Sequence, residues 1–391
     1  MQKLFLLDAY ALIYRSYYAF IKNPRINSKG LNTSAIMGFL NTLNEVLTKE
    51  QPTHIGVAFD PHGPTFRSEA FPEYKAQREE TPEDIRKAVP IIKDLLRAYR
   101  IPILQVDGFE ADDVIGTLAT KAGADGIDTF MLTPDKDYGQ LVSDHVKIYR
   151  PRHGGGYETM GPKEVCEKYG IPTTLSVIDL LALMGDSADN FPGCPGVGEK
   201  TAVKLINEFG SIDALIERSS EIKGKLREKV EEHVDDIRMS YFLATIKTDV
   251  PITLDMEALK LVDPNEDELG KLLLELEMKS FADRVLKKSQ KPQIPVNGQL
   301  DLFAEFAPNG SGELKNASFE TLETTPHNYK LVENEADLRK LCDFFRTNEI
   351  LSLDTETTST SPIEAELVGL SFAVKEFEAF YVPVPANREE A

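Results

Sequence analysis

The sequence has few cysteines and no long apolar run. Its three cysteines, Cys166, Cys194 and Cys342, lie far apart and form no CxxC pair. This excludes a disulfide framework and favours a reducing, cytoplasmic setting. No stretch is long and apolar enough to cross a membrane. The start, MQKLFLLDAYALIYR, is better explained as a buried strand than as a signal peptide, because Asp8 interrupts it and no small-residue cleavage site follows.

Histidine and positive charge are also scarce. The six histidines are scattered and no nucleophile elbow is present, so neither a zinc site nor a Ser–His–Asp or Cys–His centre is supported. The net charge of −20 argues at first against a nucleic-acid partner. Carboxylates that bind divalent metal would not act as free negative charge, however, so the sum misleads if the acids cluster.

Short apolar runs alternate with helical patterns over the first half of the chain. KLFLLDAY, THIGVAFD and DTFMLTPD each read as a strand that ends in an acid, and helices are predicted around Thr33–Thr48, Pro82–Arg100 and Asp112–Lys121. This order predicts an α/β fold in which a parallel sheet carries helices on both faces. The functional site of such a sheet lies at the carboxyl ends of its strands.

Four segments are predicted along the 391 residues. An α/β domain spans 1–172, and a helical region spans 173–288. The segment 289–325 is rich in Pro, Gly, Asn and Ser and is interpreted as a linker. Residues 326–391, with a helix around Ala336–Arg346 and the strand-like runs ILSLDTE and LVGLSFAV, are too few for a whole further α/β domain.

Acidic residues recur at the predicted strand ends and helix starts. They are Asp8, Asp60, Glu110, Asp112, Asp113, Asp135, Asp137, Asp186 and Asp189. Any one of them can be an ordinary helix cap or a solvated charge. All of them at one sheet edge would repel one another and would need cations. Oxygen ligands favour Mg²⁺ or Mn²⁺, and the acids suffice for two ions about 3.5–4 Å apart, the arrangement used to hydrolyse phosphodiesters.

Two further segments carry basic and glycine residues. FRSEAFPEYKAQR, after Asp60, is either a solvated helix or a phosphate-binding segment whose Tyr74 can stack on a base. GCPGVGEKTA begins two residues after GDSADN, and its glycines let the backbone approach a phosphate at a helix start. A glycine turn alone is weak support, since many such turns only connect helices.

The motifs LLDAYALIYRSYYAF, VAFDPHGPTFRSEAFPEYKAQR, GFEADDVIGTLA, LTPDKDYGQLV and MGDSADNFPGCPGVGEKTA occur in this order. Together they resemble the 5′-nuclease family, which bacterial polymerases of the polymerase I type share with phage 5′-exonucleases and flap endonucleases. The resemblance runs to about Lys288. It implies a PIN-like or resolvase-like α/β domain with a helix–three-turn–helix subdomain. Asp354 and Glu356 resemble the first motif of a ribonuclease-H-like 3′–5′ exonuclease domain, of which only the beginning is present.

The resemblance also implies roles for individual residues. Asp8, Asp60, Glu110 and Asp112, with Asp113 beside them, match a first metal group, and the second is matched by Asp135, Asp137, Asp186 and Asp189. Lys75, Arg78, Asp112 and Asp135 match catalytic positions. Contacts with DNA are implied at Arg15, Arg67, Tyr74, Lys75, Arg78, Gly193, Gly196, Val197, Gly198, Lys200, Thr201 and Lys204. A K⁺ ion at GCPGVGEKTA is a further implied cofactor.

The expected activity is two-metal cleavage of 5′ flaps, nicks, forks and RNA–DNA primer junctions, by a monomer associated with the bacterial nucleoid. Neither proofreading nor DNA synthesis is expected from this chain. A PIN-type ribonuclease shares the acidic strand ends, but the long helical region disfavours it. A catalytically silent DNA-binding or scaffold module is disfavoured by the complete set of acids, which would face phosphates without benefit.

The predicted linker contains one apolar motif, QLDLF, at Gln299, Leu300, Asp301, Leu302 and Phe303. A flexible, polar segment has no local reason to expose Leu302 and Phe303. They could pack onto a neighbouring domain. Alternatively, the motif resembles the short peptide by which bacterial replication and repair proteins bind the sliding clamp.

Overall fold

A computed structural model describes residues 2–152, 156–286, 328–348, 350–358, 365–375 and 377–385. The chain divides into two compact units, 1–294 and 295–391. The motif at 299–303 lies outside the described residues. Within the described ranges, no helix combines the length and the apolar character that a bilayer span requires.

The first unit contains one sheet. Its strands in the described residues are β1 (Lys3–Asp8), β2 (His54–Ala58), β3 (Ile103–Leu104), β4 (Asp128–Leu132), β5 (Val146–Pro151) and β6 (Tyr157–Met160). Their spatial order is β3-β2-β1-β4-β5-β6. All neighbouring strands are parallel except β6, which runs antiparallel to β5. The predicted parallel sheet is confirmed, with one antiparallel edge strand added.

The central strand β1 is buried on both faces. Leu4 and Leu6 pack into one apolar cluster with α5 (Ala111–Ala124) and α7 (Ser176–Met184). Phe5 and Leu7 pack into a second cluster on the other face. A strand covered on both sides reads as a continuous apolar run, which is why KLFLLD shows no alternation. The prediction of helices on both faces of the sheet is therefore confirmed.

The second cluster is formed with α1 (Ala9–Ala19), α2 (Ser34–Glu45) and α4 (Glu83–Ala98). A π-helical turn, Val46–Glu50, extends α2 and ends where Gln51 adopts a left-handed φ of 48°. The remaining helices described in this unit are α3 (Phe66–Ala70), α6 (Pro162–Tyr169), α8 (Glu199–Phe209), α9 (Ile212–Glu217), α10 (Lys225–Glu232), α11 (Val234–Ala244), α12 (Glu266–Glu275) and α13 (Lys279–Leu286). Short 3₁₀ turns lie at Asp137–Leu141 and Ser219–Glu221.

The second unit contains a four-stranded sheet and one helix in its described part. They are β7 (Asn328–Leu331), α14 (Glu335–Arg346), β8 (Ser352–Thr357), β9 (Leu367–Lys375) and β10 (Glu378–Pro383). The strand order is β7-β10-β9-β8. Asp354 and Glu356 are exposed and two positions apart on β8, so they share a face of that strand. Their role in a 3′–5′ exonuclease site stays a prediction.

Candidate active site

Acidic residues from separate segments meet at the carboxyl edge of the first sheet. Asp8 ends β1, Asp60 follows β2, Asp135 follows β4, and Asp112 lies in the first turn of α5. These four and Asp189 line one cleft of about 780 Å³, together with Lys75 and Arg78. The parallel strands produce this convergence, because their carboxyl ends share one edge.

Helix starts hold two of these carboxylates in place. Asp8 caps α1, with Oδ1 accepting a hydrogen bond of 3.0 Å from the amide of Ala11, and its Oδ2 accepts from Thr133 at 3.2 Å. Asp60 Oδ1 accepts from the first amide of α5, Ala111 N, at 2.8 Å. Both contacts use amides that have no partner within their own helix. The acids are therefore fixed by the backbone before any ligand binds.

The crowding of the cleft makes ionisation of its acids costly. Burial, and then the charge of Asp60, raise the pKa of Asp8 to about 7. Burial and the charges of Asp8 and Asp135 raise the pKa of Asp112 well above its ordinary value. Withdrawal from bulk water within the cleft also raises the pKa of Asp135, although its outer surface remains exposed. The charged forms are stabilised when a cation enters.

Basic side chains occupy one wall of the cleft. Lys75 Nζ lies 2.7 Å from Glu110 Oε1 and 3.8 Å from Asp189 Oδ2, and Arg78 forms an ion pair with Asp189 Oδ1. Burial works to lower the pKa of Lys75, but the charges of Glu110 and Asp189 together with other nearby groups outweigh it and raise the pKa well above its ordinary value. Lys75 also has a left-handed φ of 57°, uncommon for a long side chain. Such strained backbone is frequent at functional sites.

The second predicted acid group lies around the 3₁₀ turn after β4. Lys136 Nζ forms an ion pair of 2.7 Å with Asp186. Burial works to raise the pKa of Asp186, yet this ion pair and backbone hydrogen bonds hold it below its ordinary value. Asp137 differs, because burial and the charge of Asp135 raise its pKa well above the ordinary range. Its Oδ1 is buried without a hydrogen-bond partner among the described residues.

The residues present fit divalent cations. Within the described ranges, no group of three or more His, Cys, Asp or Glu side chains is arranged to hold a metal ion. Mg²⁺ does not require such a cage, because it usually keeps several waters and binds one or two carboxylates together with substrate phosphates. The donors are oxygens, the pKa values of Asp8, Asp112 and Asp137 are raised, and one buried oxygen of Asp137 lacks a partner among the described residues. Ionised carboxylates this close together are unfavourable without a bound cation. Oxygen donors of this kind favour Mg²⁺ or Mn²⁺.

Three residues predicted at this site have other roles. Arg67 was expected to contact DNA, but its side chain is 2% exposed and pairs with Glu110 and Asp113. Asp113, expected as a metal ligand, is fully buried, and both of its carboxylate oxygens accept from Arg67. Tyr74 is buried, and its hydroxyl donates to Glu110, so its ring is not available to stack on a base. These predictions are corrected: all three residues lie beneath the cleft.

The glycine segment, 193–202, begins two residues after the acid-bearing turn that contains Asp186 and Asp189. Gly193 and Gly196 have left-handed φ values of 62° and 79°. A Cβ at Gly193 would lie 2.2 Å from the amide nitrogen of Gly185, so this glycine is required by packing. A Cβ at Gly198, where α8 begins, would meet no heavy atom within 4 Å. In contrast to Gly193, packing within the fold does not require a glycine at position 198.

The remaining predicted contacts lie on the surface or in the core. Arg15 is exposed on α1, Lys200 and Lys204 are exposed on α8, and Thr201 on that helix is half-buried. Val197 is buried, so a contact there would use its backbone. The roles of these residues in DNA binding stay predictions.

Sequence reasoning missed three supporting residues of the cleft. Tyr138 is fully buried and donates a hydrogen bond of 2.7 Å to Asp112. Thr133 holds Asp8, and Lys136 neutralises Asp186. Lys136 lies between Asp135 and Asp137, and Tyr138 follows Asp137 directly, so their position beside these acids was the available signal. Thr133 gave no comparable signal.

Replacing Asp8 with asparagine is expected to stabilise the metal-free protein at neutral pH. Asparagine keeps the oxygen that caps α1 and removes a charge that burial disfavours. Because the folded-state pKa lies above the unfolded value, the wild type loses stability as pH rises from about 4 to about 7. The gain for Asp8→Asn should therefore be near zero at pH 4 and reach a few kcal/mol above pH 7.

Thermal unfolding in EDTA across this pH range measures the effect. The matched control is Asp144→Asn, since Asp144 is exposed on the surface. A gain that does not increase with pH, or an equal gain in the control, would contradict the prediction.

The first unit has the resolvase-like α/β fold, with an acidic cleft at the carboxyl ends of its parallel strands and a helical region after it. Family models match both parts: the 5′–3′ exonuclease N-terminal resolvase-like domain matches residues 3–170, and the 5′–3′ exonuclease C-terminal SAM fold matches residues 173–267. The chain therefore belongs to the 5′–3′ exonuclease family.

Named relatives are polymerases of bacterial origin. DNA polymerase I of Bacillus caldotenax is 40% identical over 298 residues, covering 75% of this chain and 34% of the relative. DNA polymerase I of Chloroflexus aurantiacus is 35% identical over 395 residues, covering 99% of this chain and 42% of the relative. The chain thus spans about a third to two fifths of the length of these relatives.

A solved structure supports the fold. A bacteriophage T5 flap endonuclease variant, in complex with DNA and metal ions, superposes with a TM-score of 0.53 at 19% identity. The match covers 74% of this chain and all of the phage protein.

Proposed function

We propose that this chain is a structure-specific 5′–3′ exonuclease and 5′-flap endonuclease. It would hydrolyse phosphodiesters in flaps, nicks, forks and RNA–DNA primer junctions during DNA repair and replication. The observation that carries the proposal is one cleft in which five aspartates from different segments face Lys75 and Arg78. The match to both domains of the 5′–3′ exonuclease family supports it.

The cleft suits a phosphodiester because it is lined by side chains of both charge signs. Lys75 and Arg78 can hold the scissile phosphate, and the raised pKa of each keeps it protonated at neutral pH. Guanidinium and ammonium groups stabilise the extra negative charge that develops on a phosphoryl group under attack. Glu110 and Asp189 keep these two cations in the cleft, at the ion pairs described above.

Divalent ions would be held by two groups of carboxylates, with Asp8, Asp60, Glu110 and Asp112 in the first group. The second comprises Asp135, Asp137, Asp186 and Asp189. Mg²⁺ or Mn²⁺ bound there would supply an activated water and stabilise the leaving oxygen. Solved relatives of this fold that contain divalent metal support metal dependence. Tyr138 orients Asp112 and Thr133 orients Asp8 through hydrogen bonds. These carboxylates would therefore keep their orientation when no substrate is bound.

Duplex DNA would bind beside the cleft at the glycine segment before α8. The backbone of Gly196 and Gly198 is exposed there, and Lys200 and Lys204 on α8 add positive charge. Helix starts and exposed amides bind phosphate oxygens. A K⁺ ion at this turn belongs to the same proposal.

The test is cleavage of a 5′-flap duplex labelled at its 5′ end, in Mg²⁺, with product mapping. Cleavage at the flap junction and mononucleotide release from a nick are expected, and EDTA should abolish both. Preference for single-stranded RNA would favour a PIN-type ribonuclease instead. Binding of the flap duplex without cleavage in Mg²⁺ or Mn²⁺ would indicate a catalytically silent module.

We further propose that the chain is the nuclease part of a longer, DNA polymerase I-like protein of the bacterial nucleoid. The match to only 34% and 42% of the length of two DNA polymerase I relatives supports this assignment. The partial domain that carries Asp354 and Glu356 would then be completed by later residues, and polymerase activity would belong to the longer chain.

A sliding clamp is proposed as a protein partner through Gln299–Phe303. Gln299 would make polar contacts, and Leu302 and Phe303 would fill an apolar pocket. Titration of the linker peptide against the cognate clamp is expected to give saturable binding. The Leu302→Ala/Phe303→Ala peptide is the matched control, and equal binding of the two peptides would refute the proposal.

A further inference from the structure

Arg67 is a fully buried arginine with no free donor. It lies on α3, is 2% exposed, and its guanidinium packs over the ring of Phe66 at 4.5 Å. Its five N–H groups match five hydrogen bonds. The partners are Leu243 O (2.9 Å), Glu110 Oε2 (3.0 Å), Asp113 Oδ2 (2.7 Å), Asp113 Oδ1 (2.8 Å) and Thr245 O (2.7 Å). Such complete pairing is what makes a buried guanidinium tolerable.

Asp113 supplies the counter-charge of Arg67. Its two oxygens receive the planar fork of the guanidinium, and they also accept the amides of Glu110 at 3.1 Å and Lys247 at 2.8 Å. The carboxylate is thereby neutralised and fully hydrogen-bonded. Bidentate pairing of this kind fixes geometry as well as charge.

Glu110 connects this buried pair to the cleft. Its Oε2 accepts from Arg67 and from the hydroxyl of Tyr74, at 3.0 and 3.1 Å. Its Oε1 accepts from Lys75 at 2.7 Å. Arg67 therefore holds one oxygen of Glu110 from below, and the other oxygen is left to hold Lys75 at the cleft.

The two carbonyl partners lie in the helical region that follows the α/β domain. Leu243 is near the end of α11, where backbone carbonyls lack partners within the helix, and Thr245 follows it. A cation at this end also suits the helix dipole. The same junction is closed by hydrogen bonds from Thr117 on α5 to Lys247 O, and from Val250 N to Thr117. Arg67 thus joins the start of α5 to the end of α11.

We propose that Arg67 is a positioning residue that sets Glu110, and through it Lys75, in the catalytic cleft by anchoring the start of α5 to the end of α11. The inference rests on the proposed nuclease function. The inference predicts that Arg67 affects the rate of cleavage and not the affinity for DNA. Among the proposed metal ligands Arg67 contacts only Glu110, and it does not contact the substrate.

The test compares Arg67→Lys with wild type on the same flap duplex. Lysine keeps the charge but cannot reach two carboxylates and two carbonyls at once. We expect kcat to fall by about 10- to 100-fold, as small displacements of catalytic groups do, while the Kd for DNA in EDTA stays within about threefold. The charge-free Arg67→Met/Asp113→Asn variant, which removes the buried pair as a unit, should lose more activity than Arg67→Lys.

Arg150→Met is the control, because Arg150 on β5 forms an ion pair with Glu158 on β6 and does not line the cleft. It should cleave like wild type. Circular dichroism and thermal unfolding verify that each variant is folded. If Arg67→Lys does not fold, the kcat and the Kd for DNA of the Arg67→Met/Asp113→Asn variant test the proposal instead.

Cleavage by a folded Arg67 variant at the wild-type rate would overturn the proposal, and so would a loss seen only as weaker DNA binding. A wild-type protein that does not cleave the flap would instead refute the proposed nuclease function. The two failures are therefore distinguishable in one experiment.

Discussion

Replacing Asp112 or Asp135 with alanine is expected to lower the rate of flap cleavage by about 10³-fold or more, while DNA still binds in EDTA or Ca²⁺. Both residues line the cleft. Burial is the largest cause of the raised pKa values of Asp8 and Asp112, and the charge of Asp135 raises both further. This electrostatic coupling is the reason to assign them to cation binding. Under the proposed function, removing either one would take away a metal ligand at the point where negative charge develops on the phosphate.

The fold should survive both substitutions. Asp112 lies in the first turn of α5, where alanine is a good helix former, and its loss also relieves repulsion with Asp8. Single-turnover rates and DNA affinity, measured for each variant and for the surface control Asp144→Ala, separate chemistry from binding. Near-normal turnover in both cleft variants would refute the assignment of the acids.

The acids at the strand ends were predictable from local patterns. Asp8, Asp60 and Asp135 each follow a short apolar run, and a parallel sheet brings the ends of such runs to one edge. Asp112 was predictable for a related reason, because an acid in the first turn of a helix points to the helix start. The observed start is Ala111, one residue earlier than predicted, because Asp113 accepts the amide of Glu110 and completes the cap.

The roles of the buried polar residues could not be predicted from local sequence patterns. Arg67 reads as a surface cation beside Lys75 and Arg78, and its carbonyl partners Leu243 and Thr245 are more than 170 positions away. Asp113 likewise reads as one more ligand in a run of acids. A charge is buried only when distant segments supply its partners, so its role appears only in the folded chain. The pairing of Tyr138 with Asp112 could not be predicted for the same reason.

Lys75→Ala and Gly198→Val are expected to lose activity in opposite ways. Lys75 lines the cleft beside Glu110, so its loss should lower kcat by about 10²- to 10³-fold with little change in DNA affinity. A Cβ at Gly198 would meet no heavy atom within 4 Å, so valine is expected to fit the fold but to keep a phosphate from the exposed backbone before α8. It should weaken duplex binding by about tenfold or more and leave the rate at saturating DNA nearly unchanged.

The design needs a control for valine at the start of a helix. Gly161 provides it, because it also has extended backbone at a helix start, that of α6, and the nearest atom to a Cβ there belongs to the side chain of Glu164. Gly161→Val should therefore bind and cleave like wild type. Measuring Kd in EDTA and kcat at saturating flap duplex for all three variants completes the comparison. If Lys75→Ala and Gly198→Val show the same kinetic pattern, the separation between a catalytic cation and a duplex-binding turn is wrong.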